Sequence, residues 1–133
     1  MTPPPTMPFS ELLGIRVTTS TPDLVEAEMH VRPDLCTVPA VLHGGALMAL
    51  ADSVGALAAV LNLPEGAWTT TIESKTNFLA ALPVGETARA SCTPIHKGKT
   101  TMVWQTRISR ADGRLAGVVT QTQLVTQPRT YVL

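Results

Sequence analysis

Hydrophobic patterning divides the chain into three kinds of stretch. From Ala46 to Leu63 the residues are almost continuously apolar, and Asp52 is the one charged side chain among them. The run is too long for a typical strand and ends at Asn62-Leu63-Pro64, where Asn and Pro act as helix stop signals. A helix apolar almost all round predicts a buried central helix. A carboxylate inside it costs free energy unless it has partners or a task.

On either side the period changes. Phe9 to Gly14 reads as a short helical turn closed by glycine. Val25, Ala27, Met29 and Val31 then alternate with Glu26, Glu28 and His30, as in a half-buried strand. Arg32-Pro33-Asp34 breaks it, and residues 35–41 are irregular. After the helix, Thr69 to Leu79 is rich in β-formers and Pro83 to Glu86 is a turn. Thr87 to Ile95 reads as a strand with Ala88, Ala90 and Cys92 on one face, and His96 to Lys99 is a basic turn. Met102, Trp104 and Ile108 alternate with Gln105, Arg107 and Ser109; Asp112-Gly113 signals a hairpin, and Leu115 to Thr126 is the last strand before Gln127-Pro128. One strand, a long helix and four strands joined mainly by hairpins predict an α+β domain, an antiparallel sheet with one helix against it.

The 133 residues suit one domain. Residues 1–8 are proline-rich and predict an extended tail, leaving 9–133 as the single domain. The tail lacks the basic start and apolar run of a signal peptide. The two cysteines, Cys36 and Cys92, form no C-x-x-C, so reduced thiols and a cytoplasmic location are expected. A formal net charge of zero removes the electrostatic ground for nucleic acid or an anionic membrane as main partner. The apolar run approaches membrane-span length, yet Asp52 would cost roughly 3 kcal/mol at a bilayer centre, which favours a soluble core helix. His30, His43 and His96 lack metal-ligand spacing, so no metal is expected. Gly98-Lys99-Thr100 looks like the end of a phosphate-binding loop, but Thr93 stands where its first glycine belongs and a strand follows.

The chemistry concentrates at Leu42-His43-Gly44-Gly45 and Asp52. The start of the helix offers backbone N–H groups at Gly44, Gly45 and Ala46 to a negative oxygen. Asp52 lies nine residues after His43, roughly 13 Å along a helix. It therefore cannot serve an atom held at the start of its own helix. An antiparallel copy of the helix across a two-fold axis brings a second Asp52 there, which predicts a homodimer with shared sites.

Taken together, Phe9…Leu13-Gly14-Ile15, Leu42-His43-Gly44-Gly45, Asp52-Ser53-Val54-Gly55, Thr71-Ile72-Glu73…Asn77-Phe78-Leu79, Pro83-Val84-Gly85-Glu86 and His96-Lys97-Gly98-Lys99-Thr100 resemble the hotdog-fold acyl-CoA thioesterases. The likeness is to the branch of the phenylacetate-pathway and 4-hydroxybenzoyl-CoA enzymes. It implies a curved antiparallel sheet wrapped round the central helix, dimers that often pair into tetramers, and an acyl-CoA substrate with no cofactor. It also implies that Asp52 is the nucleophile or general base and that Gly44 and Gly45 polarise the thioester carbonyl. By the same resemblance His43 orients this loop or the substrate, Thr71 helps position water, and Lys97 and Lys99 meet the phosphates of coenzyme A. Further substrate contacts fall to Thr37, Asn77, Phe78, His96 and Gly98. Two positions depart from the family pattern: Thr37 replaces an Asn or Gln, and Ala56 a Ser or Thr. These losses keep open a non-catalytic acyl-CoA-binding or regulatory hotdog protein.

Overall fold

The short first helix, α1 (Pro8–Leu13), opens on a proline, whose fixed φ and missing N–H suit the first helical position. The computed structural model describes residues 7–127, so the rest of the expected tail, and Pro128 after the last strand, lie outside it. Gly14 closes α1 in the left-handed conformation at φ 73°. Arg32 then fastens α1 to the body. Its Nη1 and Nη2 donate to the carbonyls of Leu13 and Leu12 at 3.1 and 2.6 Å.

Next come β1 (Arg16–Thr21) and β2 (Leu24–His30), a 3-10 turn at Pro33–Leu35, and two short paired strands, β3 (Cys36–Thr37) and β4 (Val41–Leu42). The long helix α2 (Gly44–Val60) follows, then β5 (Trp68–Phe78), β6 (Thr87–Lys97), β7 (Thr101–Ser109) and β8 (Leu115–Thr126). The main sheet has the order β1-β2-β6-β7-β8-β5, antiparallel throughout.

The α+β class holds, with two departures from the patterning. Strand β1 is additional. Its sequence, Arg-Val-Thr-Thr-Ser-Thr, is exposed at nearly every position, so an edge strand forms there with no apolar alternation to mark it. Strand β5 does not form a hairpin with β6. It pairs with β8 at the far edge, and residues 79–86 carry the chain back to the centre of the sheet. That crossing runs past the start of α2, where the Leu42 N–H donates to the Leu82 carbonyl at 2.8 Å and Val41 bridges Pro83.

The inner face of the sheet supplies Val25, Ala27 and Met29 from β2, Ala88, Ala90 and Cys92 from β6, Met102, Trp104 and Ile108 from β7, and Val119 and Val125 from β8, all buried. Helix α2 answers with Leu47, Leu50, Ala51, Val54 and Ala58 and packs against β2, β5, β6, β7 and β8. Small residues on both sides let helix and sheet approach closely. At Gly117 a Cβ would lie 3.2 Å from the Leu47 side chain.

The helix is not buried all round. Gly45, Met48, Ala49, Asp52, Ser53 and Ala56 recur at helical spacing on one stripe, and each is exposed or half-buried in the single chain. The sheet and α1 cover most of the rest. Among the described residues no helix is long and apolar enough to cross a membrane.

Leu50 lies at the centre of this packing with no accessible surface. Leu50→Ala should lower unfolding free energy by roughly 2–5 kcal/mol in urea titration. A loss below about 1 kcal/mol would show that α2 does not fill the core as described.

Candidate active site

The start of α2 is held from three directions. Strand β4 pairs with β3, Leu42 bonds to Leu82, and the His43 N–H donates to the Leu35 carbonyl at 2.9 Å. His43 is the N-cap, and its ring Nδ1 accepts the Gly45 N–H at 2.8 Å. That bond assigns the remaining ring proton of the neutral imidazole to Nε2. The Ala46 and Leu47 N–H groups donate to the His43 carbonyl at 2.9 and 3.2 Å. Of the three amides the sequence offered to an anion, Gly45 and Ala46 are thus engaged inside the chain. The Gly44 N–H has no partner among the described residues.

The Phe78 ring packs close to Gly44, where a Cβ would sit 3.1 Å from it. Gly44 and Phe78 share a cleft of about 430 Å³ with Leu42 and residues 79–81. Thr37 and His43 share another, of about 570 Å³, with Cys36, Val38 and Val84. Asn77, also exposed, accepts from Lys75 Nζ through its Oδ1 at 3.0 Å.

Asp52 stands apart from this cluster, on the open stripe of the helix. It is exposed in the single chain, contrary to the buried carboxylate the patterning suggested. It is also well partnered. Thr71 Oγ1 donates to Asp52 Oδ1 at 2.7 Å, and Gln121 Nε2 donates to the same oxygen at 3.1 Å. Behind Thr71, Gln123 Nε2 donates to its hydroxyl at 2.6 Å, and Thr69 Oγ1 donates to Gln123 Oε1 at 2.9 Å. Thr71 was among the expected residues; Thr69, Gln121 and Gln123 were not. The signal for them lay in β8, where Val119, Gln121, Gln123 and Val125 occupy successive inward positions. Two amides at core positions cost free energy unless they are hydrogen-bonded.

The basic turn occupies the other end of the subunit. The Val125 N–H donates to the Thr100 carbonyl, and Lys97 Nζ meets Asp23 Oδ1 at 2.6 Å. Asn62, just past the end of α2, donates to the Pro22 carbonyl in the neighbouring β1–β2 turn at 2.8 Å. His96, Lys97 and Lys99 therefore lie towards the C-terminal end of α2, away from His43 of the same chain. His96 stands over Gly98, where a Cβ would come 2.5 Å from its Nε2. The exposed Lys97–Asp23 pair is of a kind worth about 0–1 kcal/mol, so an anionic ligand competes with it at small cost.

Neither cysteine is set up as a nucleophile. Burial pushes the Cys92 thiol up to about 11, with the Thr106 hydroxyl opposing part of the rise. Cys36 donates through Sγ to the Arg32 carbonyl at 3.4 Å. Among the described residues no three His, Cys, Asp or Glu side chains gather as metal ligands do.

Comparison with known proteins gives this geometry a setting. The family model described as the thioesterase superfamily matches residues 40–116, from the β3–β4 turn through β8's first residues. The proofreading thioesterase EntH of Cronobacter turicensis is 34% identical over 104 residues, covering 78% of this chain and 75% of that one. The structure of thioesterase HI1161 from Haemophilus influenzae superposes with a TM-score of 0.87 at 31% identity, over 94% of this chain and 87% of the other. A hypothetical thioesterase protein from Streptococcus pneumoniae, solved with coenzyme A, gives a TM-score of 0.79 at 25% identity, over 87% and 88%.

Two outcomes follow. His43→Ala removes the side-chain cap and should lower unfolding free energy by about 1 kcal/mol, whereas His43→Asn, a good N-cap, should recover most of it. An equal loss in both would deny the capping role. Cys92 should resist iodoacetamide in the native protein at pH 8 and react once unfolded. Its raised value also means that the unfolded chain releases this proton first, so stability should fall as pH rises from the ordinary thiol range through about 11. Rapid native labelling of Cys92 would contradict its burial.

Proposed function

The chain belongs to the thioesterase superfamily, and on that footing we propose that it hydrolyses an acyl-CoA thioester to the free acid and coenzyme A. The observation that carries the reading is the pairing of a doubly hydrogen-bonded carboxylate on α2 with the unpartnered Gly44 amide at the start of the same helix. A general base and an oxyanion donor are the two groups that thioester hydrolysis needs.

They are eight residues apart on one helix, a little over two turns or roughly 12 Å, so the catalytic unit is a homodimer with antiparallel α2 helices. The open helix stripe supports this, since its small residues permit close approach. So does β5, an edge strand that among the described residues pairs only with β8 and exposes Trp68 and Ile72, 58% and 55% accessible. An unpaired, partly apolar edge invites another strand, and a second β5 across the two-fold axis would continue the sheet.

In this arrangement the thioester carbonyl of the substrate lies at the Gly44 N–H of one protomer. Asp52 of the other protomer takes a proton from water as it adds to the carbonyl carbon, or attacks that carbon itself and is released by water in a second step. The C–S bond breaks, and coenzyme A leaves as the thiolate and is protonated. Phe78 and His43 flank the acyl group, with Thr37 and Asn77 at the edges. His96, Lys97, Gly98 and Lys99, at the Asp52 end, receive the phosphates. Coenzyme A in the Streptococcus pneumoniae relative supports this ligand class. Pairing of dimers into tetramers would extend the assembly without adding to the site.

Free-thiol release from aryl-, short-chain and long-chain acyl-CoAs tests the activity. Asp52→Ala should lower kcat by about 10²–10⁴-fold with the dimer intact. Tight acyl-CoA binding without turnover in the wild type would favour the binding-protein reading instead. Gly44→Pro removes the amide, and Gly44→Ala, which keeps it, controls for the Cβ that either change sets 3.1 Å from the Phe78 ring; proline is tolerated at the first helical position, and the preceding His43, at φ −61° and ψ 135°, already has the backbone a proline requires. Gly44→Pro should cost about 10²–10³-fold in kcat. Mixing the Asp52→Ala and Gly44→Pro proteins should restore activity, because each heterodimer regains one intact site. No recovery after subunit exchange would refute sharing.

A further inference from the structure

We propose that Gln121 is a positioning residue that, with Thr71, anchors Asp52 by Oδ1 and leaves Oδ2 as the reacting oxygen. The inference rests on the hydrolase reading above.

Both hydrogen bonds to the carboxylate end on Oδ1. Oδ2 has no partner among the described residues. A carboxylate held by two donors on one oxygen keeps a fixed plane and presents the other oxygen in a fixed direction. Reactive geometry of that kind is sensitive: misplacement by about 1 Å can cost about 10²-fold in rate.

The donors are themselves oriented. Thr71 has one proton, spent on Asp52, and its lone pair accepts from Gln123. Gln123 accepts in turn from Thr69. Gln121 is held by shape instead. It has no accessible surface and lies flat on α2 over Gly55. A Cβ at Gly55 would be 2.7 Å from Gln121 Nε2 and closer still to Oε1. Position 55 is three residues after Asp52, on an adjoining part of the helix surface. Glycine there makes the slot in which the carboxamide reaches the acid.

Gln121 also bears a cost that packing alone does not explain. Its Oε1 is buried and has no hydrogen-bond partner among the described residues. Rotating the amide would exchange the ends and set Oε1 against the carboxylate oxygen. The orientation present sacrifices one bond of the amide to keep a donor on Asp52. An apolar side chain would fill the same space without that loss.

Gln121→Met keeps the volume, removes the donor and relieves the orphaned oxygen, so the protein should melt no lower than wild type. Its kcat should fall about 10²-fold with KM within about twofold. Gly55→Ala should lose kcat similarly by displacing Gln121. Adding Gln121→Ala to it should restore the melting temperature and leave kcat low. Wild-type kcat in Gln121→Met, or kcat regained together with stability in the double variant, would overturn the proposal. A readout free of turnover separates it from the hydrolase reading: the Gln121 side-chain amide NMR signals should shift on Asp52→Ala. Unmoved signals would refute the anchoring. Shifted signals in a wild type that cleaves no thioester would uphold the anchoring and sink the hydrolase.

Discussion

Everything in this molecule depends on one helix having to cover one sheet. Strands β2, β6, β7 and β8 offer a continuous apolar face, and among the described residues α2 is the only long helix available to bury it. The sheet must therefore curve until β2, β5, β6, β7 and β8 all reach the helix. Alanines at positions 27, 51, 58, 88 and 90 make that approach close. The same constraint leaves one helical stripe uncovered, because a sheet cannot close round a helix without losing its two edges. The stripe is where Asp52 stands.

A carboxylate on such a stripe needs to be held without being buried. The structure does this from beneath. Thr69 and Thr71 of β5 and Gln123 of β8 form a directed series of hydrogen bonds that rises from the core to the acid, and Gln121 of β8 adds a second donor there. Each donor is fixed by the acceptor it must satisfy, so the series has few alternative arrangements. The helix start is organised differently, by capping. His43 consumes the Gly45 amide and thereby selects Gly44 as the donor left over.

Much of this was legible in the residues. The continuous apolar run behind α2, the alternation behind β2 and the turn signals that bracket β8 are plain, and the structure places those elements within a few residues of the expected limits. Strand β1 was not legible, since threonines and serines exposed on both faces carry no period. The position of β5 was not legible either. Its own residues specify extended backbone, while its neighbour is chosen by how residues 79–86 pass the helix start, a tertiary matter. At the site, spacing separated Asp52 from its own helix start, and the resemblance supplied Thr71. Gln121 and Gln123 were visible as polar residues on an apolar face, but only the fold shows which side chain they address. That Gly45's amide is occupied follows from a ring rotamer, which no spacing reveals.

The slot at Gly55 has a consequence for how this site can change over generations. Asp52, Gly55, Thr71 and Gln121 meet through contacts with no slack, so none of them drifts alone. A longer acid at position 52 would need a shorter donor at 121, and a larger residue at 55 would evict that donor altogether. The surrounding clefts carry no such bond, because Phe78, Thr37 and Val38 are exposed and make no side-chain hydrogen bond to Asp52, Thr71 or Gln121. The molecule is thus divided into a part that must be inherited as a set and a part free to vary, and a new substrate range is reached through the second.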